Sequence, residues 1–150
     1  MEEQRWSVRA SWQGQQRTTV YARNNSFSVE RQVSYNEADH FPCAVEYLLG
    51  ALAGDLIAGM EQHFRRARLE LDALEISLSA RLNNPLMALG VIGESSGHAG
   101  IETIEGKVYI STGCDEEILQ RLWQETLLRS PLYQTLRRSV TFNLELKLAY

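Results

Sequence analysis

One acidic residue lies inside an apolar run with helical spacing. Asp55 is surrounded, at the positions a helix would bring close, by small and apolar residues: Leu48, Ala51, Leu52, Ala58 and Gly59. An ionised carboxylate in such surroundings is costly unless it meets a cation or a hydrogen-bond donor, or takes up a proton. We therefore expect Asp55 to make a structural ion pair or hydrogen bond. A ligand-binding or acid–base role and plain solvent exposure are the alternatives.

The two cysteines are the other reactive side chains. Cys43 and Cys114 each stand at the start of a predicted helix, where the helix dipole favours the thiolate form. Two thiols do not make the disulfide framework of a small secreted protein. We expect both thiols to be reduced and the protein to be cytoplasmic. A redox pair formed by Cys43 and Cys114 is the alternative.

The remaining polar residues suggest no metal or cofactor site. Three histidines show no ligand spacing: His40, His63 and His98. His98 could join Glu94 and Glu102 around a metal only if their loop folded back. The chain has no glycine-rich phosphate loop and no nucleophile elbow. A hydrolytic function using Ser130 and Asp55 ranks last, because no histidine is recognisable as their base.

Composition limits the possible partners. The chain has 150 residues and a formal net charge of −4, which argues against nucleic-acid binding, because that needs clustered cations. The longest apolar stretch, from Ala44 to Met60, contains Glu46 and Asp55 and is too short to span a bilayer. No signal peptide, linker or repeat is visible. We expect residues 1–150 to form a single domain without a membrane partner.

The hydrophobic periodicity changes along the chain from that of strands to that of helices and back. Strands are predicted at 6–12, 17–22, 26–30, 69–82, 86–92, 101–111 and 140–148, with a bulge at Gly106. Helices are predicted from Cys43 to about Arg66, and from near Asp115 to a break at Ser130-Pro131. This order predicts an α+β fold with antiparallel sheets. The first helix is apolar nearly all round, so we expect it to be buried on most sides.

Three segments resemble the OsmC/Ohr family. The first, EYLLGALAGD from Glu46 to Asp55, resembles the family's buried central helix, which ends its small-residue run in the reactive cysteine. The second, SPLYQTL from Ser130 to Leu136, resembles the family's segment in which the second cysteine precedes a proline. The third is the strand that follows at once. The resemblance implies two long central helices and an intertwined homodimer with its site at the interface.

The departures from the family pattern change the expected function. Asp55 and Ser130 stand where the family has its two cysteines, and Val45, next to Glu46, stands where many relatives have a glutamate. Peroxide reduction needs a reactive thiolate and a resolving thiol, which a carboxylate and a hydroxyl cannot replace. By the same resemblance, Arg17 is the arginine that would reach the site from the first strand connection, with Arg9 and Arg23 as the alternatives.

We therefore expect a dimeric, non-catalytic relative that binds a small apolar or anionic molecule at its interface, or uses that interface only for assembly. The ligand-binding residues implied by the resemblance are Asp55, Ser130, Arg17 and Glu46. No cofactor is expected. The alternative is an enzyme, a thiol-dependent organic hydroperoxide reductase that uses Cys43 and Cys114 in place of the missing pair.

Overall fold

A computed structural model of the chain describes residues 3–31 and 41–149. The elements, in chain order, are β1 (Arg9–Trp12), β2 (Arg17–Ala22), β3 (Asn25–Glu30), α1 (Ala44–Arg66), β4 (Ala73–Leu82), α2 (Pro85–Ala88), β5 (Ile101–Ser111), α3 (Glu116–Arg129), α4 (Pro131–Leu136) and β6 (Thr141–Leu148). They form two compact units, Met1–Leu48 and Leu49–Tyr150. The mixed α+β fold confirms the predicted class.

The first unit contains an antiparallel meander. β1 pairs with β2 and β2 with β3, so that Arg17 lies opposite Glu30 and Val20 opposite Phe27. The turn between β1 and β2 has positive φ angles at Gly14 and Gln15. Glycine adopts such an angle without strain, which explains its place at position 14. The start of α1 is attached to this sheet, because the Tyr47 hydroxyl donates to the carbonyl of Ser28 at 2.6 Å.

The second unit contains a three-stranded sheet in the order β4-β5-β6. β4 and β5 pair antiparallel, whereas β5 and β6 pair parallel. Parallel neighbours need a crossover connection, and α3 and α4 supply it. The core lies between one face of the sheet, α1 and α3. Its buried residues include Ile104, Val108 and Ile110 from β5, Leu52, Leu56, Met60 and Phe64 from α1, and Leu119, Leu122 and Trp123 from α3.

The prediction of a strand at 86–92 was wrong. Asn84 caps a short helix there, because its side chain accepts hydrogen bonds from the amides of Leu86 and Met87 and Pro85 occupies the first helical position. The irregularity in the β4–β5 pairing lies between Arg81 and Leu82 rather than at Gly106. Local cap chemistry overrode an apolar run that is ambiguous between strand and helix.

The tryptophans differ in burial. Trp123 is 4% exposed in the core, whereas Trp6 and Trp12 are 79% and 74% exposed. Of the three tryptophans, Trp123 therefore belongs to the core of the chain. Among the described residues, no helix is long and apolar enough to cross a membrane.

Candidate functional site

A hydrogen bond joins α1 to the residue between α3 and α4. The Ser130 hydroxyl donates to Oδ2 of Asp55 at 2.5 Å. Ser130 is buried, at 4% exposure, and Asp55 is half-buried. The distance is within the range of a hydrogen bond from a hydroxyl to a carboxylate. Asp55 thus has the hydrogen-bond donor that its apolar surroundings led us to expect.

The position of Ser130 follows from local sequence. Pro131 cannot continue α3 and instead begins α4, which leaves Ser130 with extended backbone angles at the junction. The Ser130 Oγ accepts a hydrogen bond from the amide of Tyr133 at 3.1 Å and so caps α4. Because that oxygen accepts from Tyr133 and its proton goes to Asp55, the hydroxyl has one defined orientation.

A histidine that shows no ligand spacing in the sequence lines the same cleft as this pair. Nδ1 of His63 is 2.7 Å from the carbonyl oxygen of Gly59 and 3.3 Å from Oγ1 of Thr126. A carbonyl oxygen only accepts, so Nδ1 carries the proton. Thr126 Oγ1 donates to the carbonyl of Leu122 at 2.8 Å, which leaves its oxygen able to accept from His63. The imidazole is therefore held from both α1 and α3.

Gly59 lets the two helices approach at this level. A Cβ atom built at Gly59 would lie 3.2 Å from Cγ2 of Thr126, closer than most side-chain contacts allow. Asp55, Gly59 and His63 follow one another at four-residue spacing, which places them along neighbouring positions of one helix face. That spacing is the sequence signal that could have identified His63 as part of the site.

These residues line a cleft of about 380 Å³. Its walls are formed by Asp55, Ala58, Gly59, Glu61, Gln62, His63 and Arg65 from α1, and by Thr126, Arg129 and Ser130 from the α3 side. Both arginines are paired with glutamates, Arg65 with Glu61 at 3.4 Å and Arg129 with Glu125 at 3.0 Å. Within the described part of the second unit, no cation forms an ion pair with Asp55.

The other two expected ligand-binding residues belong to the first unit. The Glu46 carboxylate accepts a hydrogen bond from the amide of Cys43 at 3.0 Å, the arrangement of a helix-capping glutamate. This hydrogen bond holds the pKa of Glu46 below its usual value. The Arg17 guanidinium lies over the ring of Phe41, 5.6 Å from its centroid. Each side chain therefore has a contact within the first unit.

The two thiols are free. Cys43 immediately precedes α1 and is buried, at 7% exposure. Cys114 precedes α3 by two residues, is half-buried, and packs against the core. Burial of Cys43 restricts the access that a peroxide would need to that thiol.

The polar side chains in and next to the loop between α2 and β5 form hydrogen bonds with one another and with the loop backbone. Glu94 accepts from the side chain of Asn84 at 2.8 Å, and Glu102 accepts from Asn83 at 3.0 Å. Nδ1 of His98 accepts from the amide of Gly100 at 3.0 Å. Over residues 3–31 and 41–149, no three metal-ligating side chains cluster. His40 lies outside these residues.

Comparison with known proteins identifies a family and a fold. The sequence model of a family described as OsmC-like protein matches residues 37–145. No curated protein sequence matches the chain. An OsmC-like protein from Mycoplasma pneumoniae shares the fold with a TM-score of 0.84 at 12% identity, covering 99% of this chain and 100% of that one.

Two further solved structures carry names that mention peroxides. An organic hydroperoxide resistance protein of Bacillus subtilis has a TM-score of 0.63 at 16% identity, covering 95% of this chain and 98% of that one. An organic hydroperoxide resistance protein from Legionella pneumophila has a TM-score of 0.69 at 10% identity, covering 98% and 99%. At such identities the likeness shows the fold alone.

Proposed function

Since this chain belongs to the OsmC-like protein family, we propose that it binds a small organic molecule in the Asp55–Ser130 cleft and does not reduce peroxides there. The observation that carries the proposal is the hydrogen bond between these two side chains, at the positions where the resemblance puts the family's cysteines. In this proposal, the frame that would bring two thiols together is kept, while a carboxylate and a hydroxyl replace the thiols.

The side chains present cannot perform the family's redox step. Reduction of a hydroperoxide requires a sulfur that accepts one peroxide oxygen and becomes a sulfenic acid, and a second thiol that condenses with it. Neither the carboxylate of Asp55 nor the hydroxyl of Ser130 undergoes these reactions. A cleft that no longer reacts can still bind.

The cleft has the size and the lining of a small-molecule site. Its volume of about 380 Å³ falls within the range of ligand pockets. Eight of its side chains carry a charge or a hydrogen-bonding ring, hydroxyl or amide group, among them Asp55, His63 and Ser130. Such a lining favours a polar ligand over the purely apolar one that the sequence left open.

Assembly as a homodimer belongs to the same proposal. A Cβ added at Gly50 or Gly54 would meet no atom of the described chain within 4 Å, and both residues are exposed together with Ala51 and Ala58. Packing among the described residues therefore gives no reason for their small size, whereas close approach of a second copy does. Ala58 also lines the cleft, so a partner on this face would cover its open side.

Light scattering after size exclusion tests the assembly. We expect the wild-type protein to have twice the 17.1 kDa mass of the chain, and Gly54→Glu to be monomeric, because it adds a charged side chain to the proposed contact face. Ser79→Glu, on an exposed position of β4, is the matched control and should remain dimeric. A monomeric wild-type protein would contradict the dimer.

Binding and peroxide activity are tested together. We expect some members of a library of small polar compounds to raise the melting temperature of the wild-type protein, and less so of Asp55→Asn. We also expect no consumption of cumene hydroperoxide with dithiothreitol as reductant. If no compound shifts the melting temperature, the binding proposal fails.

The thiol-dependent alternative rests on the position of Cys43 and Cys114 next to helix starts. Thiol mass spectrometry after substoichiometric peroxide separates it from our proposal. A sulfenic acid or a disulfide at these cysteines would favour the reductase, whereas two unmodified thiols would favour the binding protein. The free thiols also support our placing the protein in the reducing cytoplasm.

A further inference from the structure

We propose that the ligand of this cleft carries a protonated amino group, which binds between Asp55 and His63. The inference rests on the proposed function and names the chemical class of ligand that the cleft would accept. It also differs from the apolar or anionic ligand expected from the sequence. Charge, hydrogen-bonding capacity and the shape of the α1 face each support it.

The charge of the cleft points to a cationic ligand. Each arginine of the lining has a glutamate partner one helical turn away, so the charges of Arg65 and Arg129 are already compensated. The Asp55 carboxylate has a hydroxyl partner but no cation among the described residues of its unit. A half-buried carboxylate is stabilised by an opposite charge, and a ligand ammonium would supply it.

The hydrogen-bonding capacity points the same way. Because Nδ1 of His63 donates to the Gly59 carbonyl, the ring nitrogen that can accept a hydrogen bond is Nε2. Oδ1 of Asp55 remains available to accept a hydrogen bond from a ligand, since the Ser130 hydroxyl donates to Oδ2. Both remaining groups accept hydrogen bonds, and the three N–H donors of an ammonium group match acceptors of this kind.

Asp55 and His63 line the cleft from the same face of α1. Asp55 and His63 are eight residues apart, which corresponds to about 12 Å along a helix axis. The His63 ring bends back by one turn to reach the Gly59 carbonyl. Gly59 lies between them on this face, and Thr126 packs closely against it.

Three probes of one shape and different charge test the inference. Benzylamine, benzyl alcohol and benzoate would each be titrated into the 15N-labelled wild-type protein while the amide resonances of Gly59, His63 and Ser130 are followed. We expect benzylamine to shift these resonances saturably and the other two to leave them unchanged. This comparison needs no variant, so it holds even where a substitution disturbs folding.

Two matched variants locate the binding group. Asp55→Asn keeps the shape and a hydrogen-bond acceptor for Ser130 while removing the charge, and it should weaken benzylamine about tenfold or more, as loss of a hydrogen bond between charged groups does. Glu75→Gln removes the same charge from an exposed position of β4 that does not line the cleft. That variant should change the affinity less than about twofold.

The outcomes separate the two proposals. Equal or tighter binding of benzyl alcohol or benzoate in the cleft, or unchanged benzylamine affinity in Asp55→Asn, would overturn the ammonium inference and leave small-molecule binding intact. If none of the three probes moves these resonances and the compound library also gives no melting shift, both proposals fail.

Discussion

Two short helices of this protein begin with the same type of cap, but their capping residues make different further contacts. Asn84-Pro85 starts α2, and Ser130-Pro131 starts α4. In both, the polar side chain accepts hydrogen bonds from the first turn. Asn84 gives its remaining donors to Glu94 and to the carbonyl of Ser96, ten and twelve residues away. Ser130 gives its single proton to Asp55, seventy-five residues away.

The comparison shows which hydrogen-bonding groups of a capping residue remain available for other contacts once the cap has formed. The acceptor of each cap is used locally and can be predicted from the Asn-Pro or Ser-Pro sequence. The donor is free to act elsewhere, and its partner depends on which element packs nearby. In α2 that partner is the loop that follows the helix. In α4 it is another helix, and a cleft forms beside the contact.

The largest expected effect comes from turning the Ser130 contact into a redox pair. Asp55→Cys combined with Ser130→Cys should create a peroxidase, because the two positions already face each other at hydrogen-bond distance. The thiolate at position 55 would take one oxygen from a hydroperoxide and release the alcohol. The resulting sulfenic acid would condense with the thiol at position 130, releasing water and forming a disulfide that dithiothreitol reduces again.

Consumption of cumene hydroperoxide measures this gain against wild type, and non-reducing mass spectrometry detects the disulfide. The single variant Asp55→Cys is the control, since it can form a sulfenic acid but has no thiol at position 130 to resolve it. A double variant without either disulfide or peroxide turnover would contradict the retained geometry.

A smaller effect is expected on stability when each cap is removed. Ser130→Ala loses the cap of α4 and the charge-assisted hydrogen bond to Asp55, and should lower the free energy of unfolding by about 3 kcal/mol. Asn84→Ala loses the cap of α2 and contacts within an exposed loop, and should lower it by about 1 kcal/mol. Urea denaturation of both variants measures the difference, and equal losses would remove the distinction between the caps.

The smallest effect concerns a third cap, at the start of α1. Because the Cys43 amide holds the pKa of Glu46 below its usual value, the stabilisation is present at neutral pH and is lost as pH falls through the folded-state pKa. Glu46→Gln should therefore lower the free energy of unfolding at pH 7 by about 0.3 kcal/mol, a small value because the carboxylate is exposed.

Urea denaturation from pH 7 down to acid pH would test this. The two proteins should converge in stability as the wild-type carboxylate takes up its proton. Glu61→Gln, an exposed carboxylate later in α1, provides the comparison, and a difference that widened toward acid pH would contradict the capping role.

Local patterns predicted the elements well where one sequence signal acted alone. The helix predicted from Cys43 to Arg66 begins one residue later in the structure, and the break at Ser130-Pro131 lies where the proline rule put it. The α+β class also followed from periodicity. Where two signals competed, as at 86–92, the apolar run was taken for a strand, although Asn84 and Pro85 specify a helix start.

The sequence patterns did not predict the direction of strand pairing or the side-chain contacts between distant elements. The strand at the C-terminal end was expected in an antiparallel sheet, yet β6 lies parallel to β5, because pairing direction depends on how the connecting helices cross the sheet. The family resemblance predicted the contact of Asp55 with Ser130 as a pair of aligned positions. It had no counterpart for His63, whose role in the cleft depends on the packing of α1 against Thr126.

The wide separation of Asp55 and Ser130 along the chain also concerns folding order. Ser130 lies within the crossover that carries the chain from β5 to β6, so its contact with α1 closes a long loop and requires the crossover to be docked. Contacts of such sequence separation carry a loop-closure penalty and slow the search for the native state. The cleft should therefore assemble among the last parts of the second unit, and local opening of α3 and α4 would dismantle it while the β4–β5 hairpin stays protected from hydrogen exchange.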